Sequence, residues 1–153
     1  MGHFNDAIHF ALANGGSPDV ANVRRLNVKY GYGFSVEQSI SPNMGFFVRA
    51  GLNDGKSETY SFTEIENSFT TGFISKANFW GRDADKISFA FAQNELTSIH
   101  QKYLSQGGTG AFIGDGNLRY NPERIIEANY NLNLYKTSWL SLGFQRIYNP
   151  AYN

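Results

Sequence analysis

A strict alternation of apolar and polar residues is the feature that most restricts how this chain can fold. From Leu26 to Glu37 the sequence reads LNVKYGYGFSVE, with apolar or aromatic residues at even positions and polar, charged or glycine residues at odd ones. A period of two places these sets on opposite faces of a β-strand. We predict one long strand from about Val23 to Ile40, whose two faces meet different surroundings.

The same period recurs along the chain and predicts about seven strands joined as antiparallel hairpins. The other six are expected at Met44–Leu52, Ser57–Ile65, Ser68–Phe79, Lys86–Asn94, Arg124–Leu134 and Trp139–Tyr148. Asn53-Asp54-Gly55-Lys56 is a strong hairpin signal, because Asp-Gly accepts the positive φ angles of hairpin turns.

Helices are expected only outside these strands. Asn5 is a plausible cap for a short helix over Asp6–Ala13 that ends at Asn14-Gly15-Gly16, and a change of period indicates a second helix over Leu96–Gln106. We expect a single partial domain over residues 1–153, in which 1–22 form a loop with a short helix, 23–94 form strands, 95–122 form a long loop with a helix, and 123–148 form two strands.

Two architectures fit this pattern. In a soluble all-β domain the apolar face is the core, and soluble strands usually run ~3–10 residues. A transmembrane barrel strand needs ~9–11 residues to cross the hydrocarbon, with aromatic residues near its ends. The length of the first strand, the 22 Phe and Tyr residues and the polar set Glu127-x-Asn129-x-Asn131-x-Asn133 favour the barrel.

Charge and composition exclude several functions. Lys and Arg number 13, as do Asp and Glu, so no net field favours a nucleic-acid partner. There is no cysteine, no apolar run long enough for a transmembrane helix, and no visible secretory leader. The three histidines show no metal-ligand spacing, and no nucleophile or phosphate-loop motif occurs. We expect neither an enzyme nor a cofactor.

Several strings, in order along nearly the whole chain, resemble the carbohydrate-selective porin family of bacterial outer membranes, the OprB type. They are Arg24-Arg25-Leu26, Lys29-Tyr30-Gly31, Phe47-x-Arg49-Ala50-Gly51-x-Asn53-Asp54-Gly55, Glu58-Thr59-Tyr60-x-Phe62-Thr63-Glu64-Ile65, Trp80-Gly81-Arg82, His100-x-x-Tyr103-Leu104, Gly107-Gly108, Gly114-Asp115-Gly116, Pro122-Glu123-Arg124, Gln145 and Asn149-Pro150-Ala151-Tyr152-Asn153.

The resemblance implies an antiparallel up-and-down transmembrane β-barrel, usually of sixteen strands, that works as a trimer or monomer and passes glucose and related small neutral sugars. It further implies outer-membrane lipid as the surroundings. The sequence looks like the C-terminal part of such a porin, without its N-terminal half, signal peptide and final strand. We therefore expect the strand edges to pair with the remainder of a barrel or with other copies of the chain.

By parity, the side chains expected to line the lumen are those on the polar faces of the strands. They are Lys29, Glu37, Arg49, Thr63, Lys76, Glu127, Asn129, Asn131 and Gln145. Each could also be a wall residue that only keeps a pore wet. Phe47 and Trp139 share this parity and would either stack on sugars or pack at the rim. The segment Leu96–Gln106 with the glycine-rich loop after it either narrows the pore or caps its outside.

Two other functions remain open from the sequence. One is a soluble, secreted all-β domain that binds carbohydrate. The other is a non-conducting barrel fragment left by gene decay.

Overall fold

The computed structural model describes residues 1–59, 63–114 and 116–153. Six antiparallel strands form one open sheet in sequence order, with β1 and β6 at its edges. The strands are β1 (Gly31–Ser41), β2 (Met44–Asn53), β3 (Asn67–Ala77), β4 (Arg82–Glu95), β5 (Glu123–Tyr135) and β6 (Ser138–Tyr148). The helices are α1 (Phe4–Asn14) and α2 (Ser98–Ser105), with 3₁₀ turns at Val20–Val23, Asn78–Trp80 and Pro150–Tyr152.

The two ends of the sheet are built differently. At one end, the turn end, neighbouring strands are joined by residues 42–43, 78–81 and 136–137. At the other, the loop end, the long connections 54–66 and 96–122 emerge, together with the segments before β1 and after β6. This asymmetry is typical of outer-membrane barrels, which have short periplasmic turns and long extracellular loops.

The buried core lies at the loop end and not against either face of the sheet. We call this region the loop cap; it comprises α1, α2 and the described residues of segments 15–30, 54–66, 96–97, 106–122 and 149–153. Its apolar core is formed by Phe4, Ala7, Ile8, Val20, Leu96, Tyr103, Leu104 and Tyr152. The long loops therefore pack into a body of their own beyond the strand ends.

The first strand is shorter than predicted. β1 begins at Gly31, because β2 ends at Asn53 and leaves earlier residues without a neighbouring strand. Those residues contact other parts of the loop cap instead, namely α1 and the 54–66 connection. The Lys29 ammonium donates to the carbonyl oxygen of Ser57 at 2.9 Å, and the Arg25 guanidinium pairs with Asp6 at 2.8 Å.

The prediction of a strand at Ser57–Ile65 is wrong for the residues that the structure describes there; Tyr60, Ser61 and Phe62 lie outside them. The turn at Asn53–Lys56 forms, with Gly55 at φ 55°. The chain then leaves the sheet, and Ser57 forms an isolated antiparallel bridge with His3. Main-chain bonds of Lys56 and Glu58 to the N-terminal segment complete this pairing. The described sheet thus has six strands and not seven.

The other elements are confirmed within a few residues. α1 ends at Asn14, and Gly15 takes a φ of 78°, which matches the stop read from Asn14-Gly15-Gly16. The N-cap of α1 is His3 and not Asn5, and it makes no side-chain cap bond. α2 is shorter than the predicted Leu96–Gln106, because Leu96 packs in the cap core ahead of the helix.

The apolar face of the sheet carries no second layer in the part of the chain that the structure describes. Phe34, Leu142 and Phe144 are 61%, 59% and 63% exposed. A soluble two-layer sandwich would bury these side chains. The fold is therefore all-β, with one open, two-faced antiparallel sheet and two short helices.

Candidate functional site

Strand register assigns every strand residue to one of two faces. One row of paired residues crosses the whole sheet, in the order Glu37, Phe47, Gly72, Ala90, Glu127 and Gln145. Successive side chains of a strand alternate between faces, so this row and every second residue from it share one face. We call it the polar face, and the opposite one the apolar face.

Seven of the nine predicted lumen residues lie on strands at the polar face. They are Glu37, Arg49, Lys76, Glu127, Asn129, Asn131 and Gln145. The other two are in the loop cap. Lys29 precedes β1, and Thr63 lies in the 54–66 connection, where it borders a cleft at the loop end of the polar face with Gly31, Gly51 and Ser68.

A carboxylate on β5 organises the polar face near the β6 edge. Glu127 accepts hydrogen bonds from the amide of Asn129 at 2.6 Å and from the amide of Gln145, its cross-strand partner, at 3.0 Å. Four residues further along the same two strands, the Ser141 hydroxyl donates to the side-chain oxygen of its cross-strand partner Asn131 at 2.6 Å. The result is a continuous strip of hydrogen-bonding groups that is open to solvent.

An ion pair and an aromatic ring mark the opposite side of the polar face. The Arg49 guanidinium donates to the Glu37 carboxylate, and both side chains are exposed. The same guanidinium lies 5.1 Å from the centre of the Phe47 ring. A Cβ at Gly72 would approach this ring to 2.7 Å, so the glycine is what lets the ring lie against the sheet.

Lys86 belongs to the polar face, and the sequence analysis missed it. It pairs with Lys76 across β3–β4 and with Asn131 across β4–β5. The alternation of β4 gives Lys86 the same parity as Ser88. Because Lys86 is the first residue of the predicted strand Lys86–Asn94, it is not among the predicted lumen residues.

The apolar face carries aromatic residues towards both ends. Tyr32 and Tyr148 lie at the loop end, and Trp80 and Tyr130 at the turn end. The Trp80 indole donates to the Tyr130 hydroxyl at 3.2 Å, and this hydroxyl donates to Asp85 at 2.5 Å. Aromatic side chains with a polar tip are characteristic of membrane interfaces.

Buried polar groups hold the loop cap together. His100 Nδ1 lies 3.1 Å from each oxygen of Glu66, and the Phe4 ring stacks on the imidazole with centroids 4.0 Å apart. The Glu64 carboxylate accepts from the main-chain N–H groups of Ala111 and Phe112. These contacts tie the 54–66 connection to the 96–122 connection. The motif Gly114-Asp115-Gly116 belongs to the second of these, but Asp115 lies outside the described residues.

A second anchor joins the segment before β1 to the 54–66 connection. The Arg24 guanidinium donates two hydrogen bonds of 2.8 Å to Glu58, which also accepts from the Gly2 main-chain N–H at 2.7 Å. The bonds from Arg24 are the main reason that the pKa of Glu58 lies below its ordinary value.

Residues 1–59, 63–114 and 116–153 contain no group of three or more His, Asp or Glu side chains placed to hold a metal ion. Over the same residues, neither helix has the length and hydrophobicity needed to cross a bilayer.

These features define the class of all-β proteins built on a two-faced antiparallel meander, with its loops gathered at one end. The family model described as carbohydrate-selective porin, OprB family, matches residues 3–153. The chain belongs to this porin family, and the resemblance read from its sequence is confirmed. Comparisons with curated proteins and with solved structures gave no match.

Proposed function

We propose that the chain is a wall segment of a bacterial outer-membrane porin through which carbohydrates diffuse passively. In this function the apolar face contacts lipid and the polar face lines a water-filled lumen. The observation that carries the proposal is the separation of the faces: seven predicted lumen residues share one side of the sheet, and exposed Phe and Leu side chains occupy the other.

The composition of the polar face suits neutral sugars. Amide and hydroxyl groups both donate and accept, so they replace the hydrogen bonds that a sugar makes with water. The Glu37 carboxylate is offset by Arg49, and Glu127 is held by two amides. Such a surface exchanges partners easily, and a channel needs binding that is weak enough to release its solute.

The open edges of the sheet support a larger barrel. Within the described part of the chain, β1 and β6 each pair with a neighbouring strand on one side only. Unpaired main-chain groups in hydrocarbon cost several kcal/mol each, so a strand edge in a membrane needs a partner. The remaining strands of a barrel, of about sixteen in total in this family, would supply it, and other copies of the chain are the alternative partner.

Liposome swelling tests the proposal. The complete protein that contains this chain would be reconstituted, and swelling compared for glucose and for a larger oligosaccharide. Sugar-dependent swelling that falls with solute size is expected, and its absence would refute transport.

A matched pair of variants tests which face lines the lumen. Ala92 lies on the polar face and Phe91 on the apolar face of the same strand. We expect Ala92→Trp to slow glucose swelling because the indole narrows the lumen, and Phe91→Trp to leave it unchanged. If Phe91→Trp slowed swelling and Ala92→Trp did not, the apolar face would line the lumen and the proposal would be wrong.

A further inference from the structure

Near the turn end of the polar face there is a small cleft, of about 220 Å³, lined by Lys86, Asn131 and Trp139. Register places all three side chains on the polar face, since Lys86 pairs with Asn131 and Trp139 pairs with Asn133. The cleft is separate from the Glu127 cluster and from the Arg49–Glu37 ion pair.

Its lining offers three complementary chemistries. The Trp139 indole is 49% exposed and presents an aromatic surface on the polar face. The side-chain oxygen of Asn131 already accepts from Ser141, so the amide NH₂ remains to donate. The Lys86 ammonium brings three donors and a positive charge.

The lysines are the decisive feature. Lys76 and Lys86 are directly opposite each other on β3 and β4, and both are exposed. Like charges in this position repel. Among the described residues neither ammonium forms an ion pair, whereas the other strand cation on this face, Arg49, is paired with Glu37. An anionic group between the lysines would remove the repulsion.

We propose that this cleft binds sugars that carry a carboxylate or phosphate group, an inference that rests on the proposed porin function. The sugar ring lies on the Trp139 indole, its hydroxyl groups accept from Asn131, and its anionic group lies between Lys76 and Lys86. This cleft therefore binds acidic sugars more strongly than the neutral sugars that the rest of the polar face suits, although the whole chain has no net charge.

Current block in planar bilayers tests this preference with glucuronate, glucose 6-phosphate and glucose as probes of the complete protein. Glucuronate or glucose 6-phosphate should block at lower concentration than glucose, and the comparison of the two identifies the preferred anion. We expect Lys76→Gln and Lys86→Gln each to raise the half-blocking concentration of the acidic sugar about two- to fivefold, the range for partly exposed charge pairs. Neither should change that of glucose.

Lys136 provides the matched control, because it is an exposed lysine in the β5–β6 turn at the same end of the sheet. Lys136→Gln makes the same change in net charge and should leave all three probes unaffected. Trp139→Leu should weaken the block by acidic and neutral sugars alike. Equal block by glucuronate, glucose 6-phosphate and glucose in the unmodified protein would overturn the proposal. So would an unchanged ratio of half-blocking concentrations, acidic sugar to glucose, in a variant that carries both Lys76→Gln and Lys86→Gln.

A binding measurement separates failure of this inference from failure of the proposed function. Glucuronate and glucose 6-phosphate are titrated into the detergent-solubilised protein, and tryptophan fluorescence is compared in Trp80→Phe and Trp139→Phe variants. A change that is present in the first variant and absent from the second supports the cleft even if the protein does not conduct. No difference between the variants for either probe contradicts the cleft even if glucose passes.

Discussion

His100 Nδ1 lies 3.1 Å from both carboxylate oxygens of Glu66, and the two side chains are completely shielded from solvent. Glu66 precedes β3, and His100 is in α2, so this contact joins the two long connections of the loop end. Glu66 also accepts from the Thr97 main-chain N–H at 3.2 Å. One carboxylate thus fixes the start of the helix and the histidine within it.

Replacement of Glu66 by alanine is expected to destabilise the loop cap by about 1–3 kcal/mol, because the buried His100 imidazole and the half-buried Thr97 N–H lose their acceptor. Hydrogen exchange should show faster opening of α2, with little change in the strands. Asp83→Ala removes an exposed carboxylate at the turn end and should stay within about 0.5 kcal/mol of the unmodified protein. Similar exchange of α2 in both variants would contradict the role assigned to Glu66.

Replacement by alanine should lower the free energy of unfolding at one glycine of the polar face and leave it unchanged at another. A Cβ at Gly72 would lie 2.5 Å from the carbonyl oxygen of Phe89 and 2.7 Å from the Phe47 ring, whereas one at Gly33 meets no atom within 4 Å. Gly72→Ala is expected to cost about 1–3 kcal/mol through overpacking. Gly33→Ala should be close to neutral, and denaturant unfolding of the detergent-solubilised protein measures both. Equal costs would mean that the ring is not packed on Gly72.

The assignment of lipid to the apolar face predicts a strong asymmetry between neighbours on β1. Phe34→Arg places a charge on the apolar face, where arginine costs about 2–4 kcal/mol near the bilayer midplane. Ser35→Arg places the same charge on the polar face, where water solvates it. We expect Phe34→Arg to reduce the amount of folded protein in the membrane fraction and Ser35→Arg to leave it unchanged. The opposite result would exchange the two faces.

The anchor between Arg24 and Glu58 predicts an acid-sensitive loop cap. The pKa of Glu58 is lower in the fold than its ordinary value of about 4.3, so the carboxylate is bound more strongly than the protonated acid. Its contribution to stability is present above that ordinary value and is lost as the pH falls through the lower, folded one. Because the Arg24 side chain is 59% exposed, we expect a contribution below about 1 kcal/mol.

Hydrogen exchange of residues 1–30 at pH 7 and pH 3 checks this prediction. The unmodified protein should open more readily at pH 3, and Glu58→Gln should show a smaller difference between the two conditions. An identical pH response in Glu58→Gln would assign the acid sensitivity to other groups.

Alternation of side chains was sufficient to predict the sheet. Five of the six observed strands both begin and end within a few residues of the predicted ranges, and seven of the nine polar residues chosen by parity lie on one face. This success has a physical basis, because a strand with different surroundings on its two sides must alternate with a period of two.

The errors fall where tertiary contacts compete with local pattern. Ser57 and Glu58 have the composition of a strand, yet they pair with the N-terminal segment because Gly55 and the crowded contacts around it direct the chain away from β2. The residues before Gly31 likewise bind α1 and the 54–66 connection through Arg24, Arg25 and Lys29. These partners are far away along the chain, so the local alternation of residues does not reveal them.

The sequence by itself determined the two-faced sheet, most of the polar residues of one face and the membership in the porin family, since each depends on local periodicity or on ordered motifs. Only the tertiary structure decided that the long loops form a buried cap and that Lys76, Lys86, Asn131 and Trp139 meet on one surface. Those contacts join residues far apart in the chain, and their register depends on which strands pair and which segments leave the sheet.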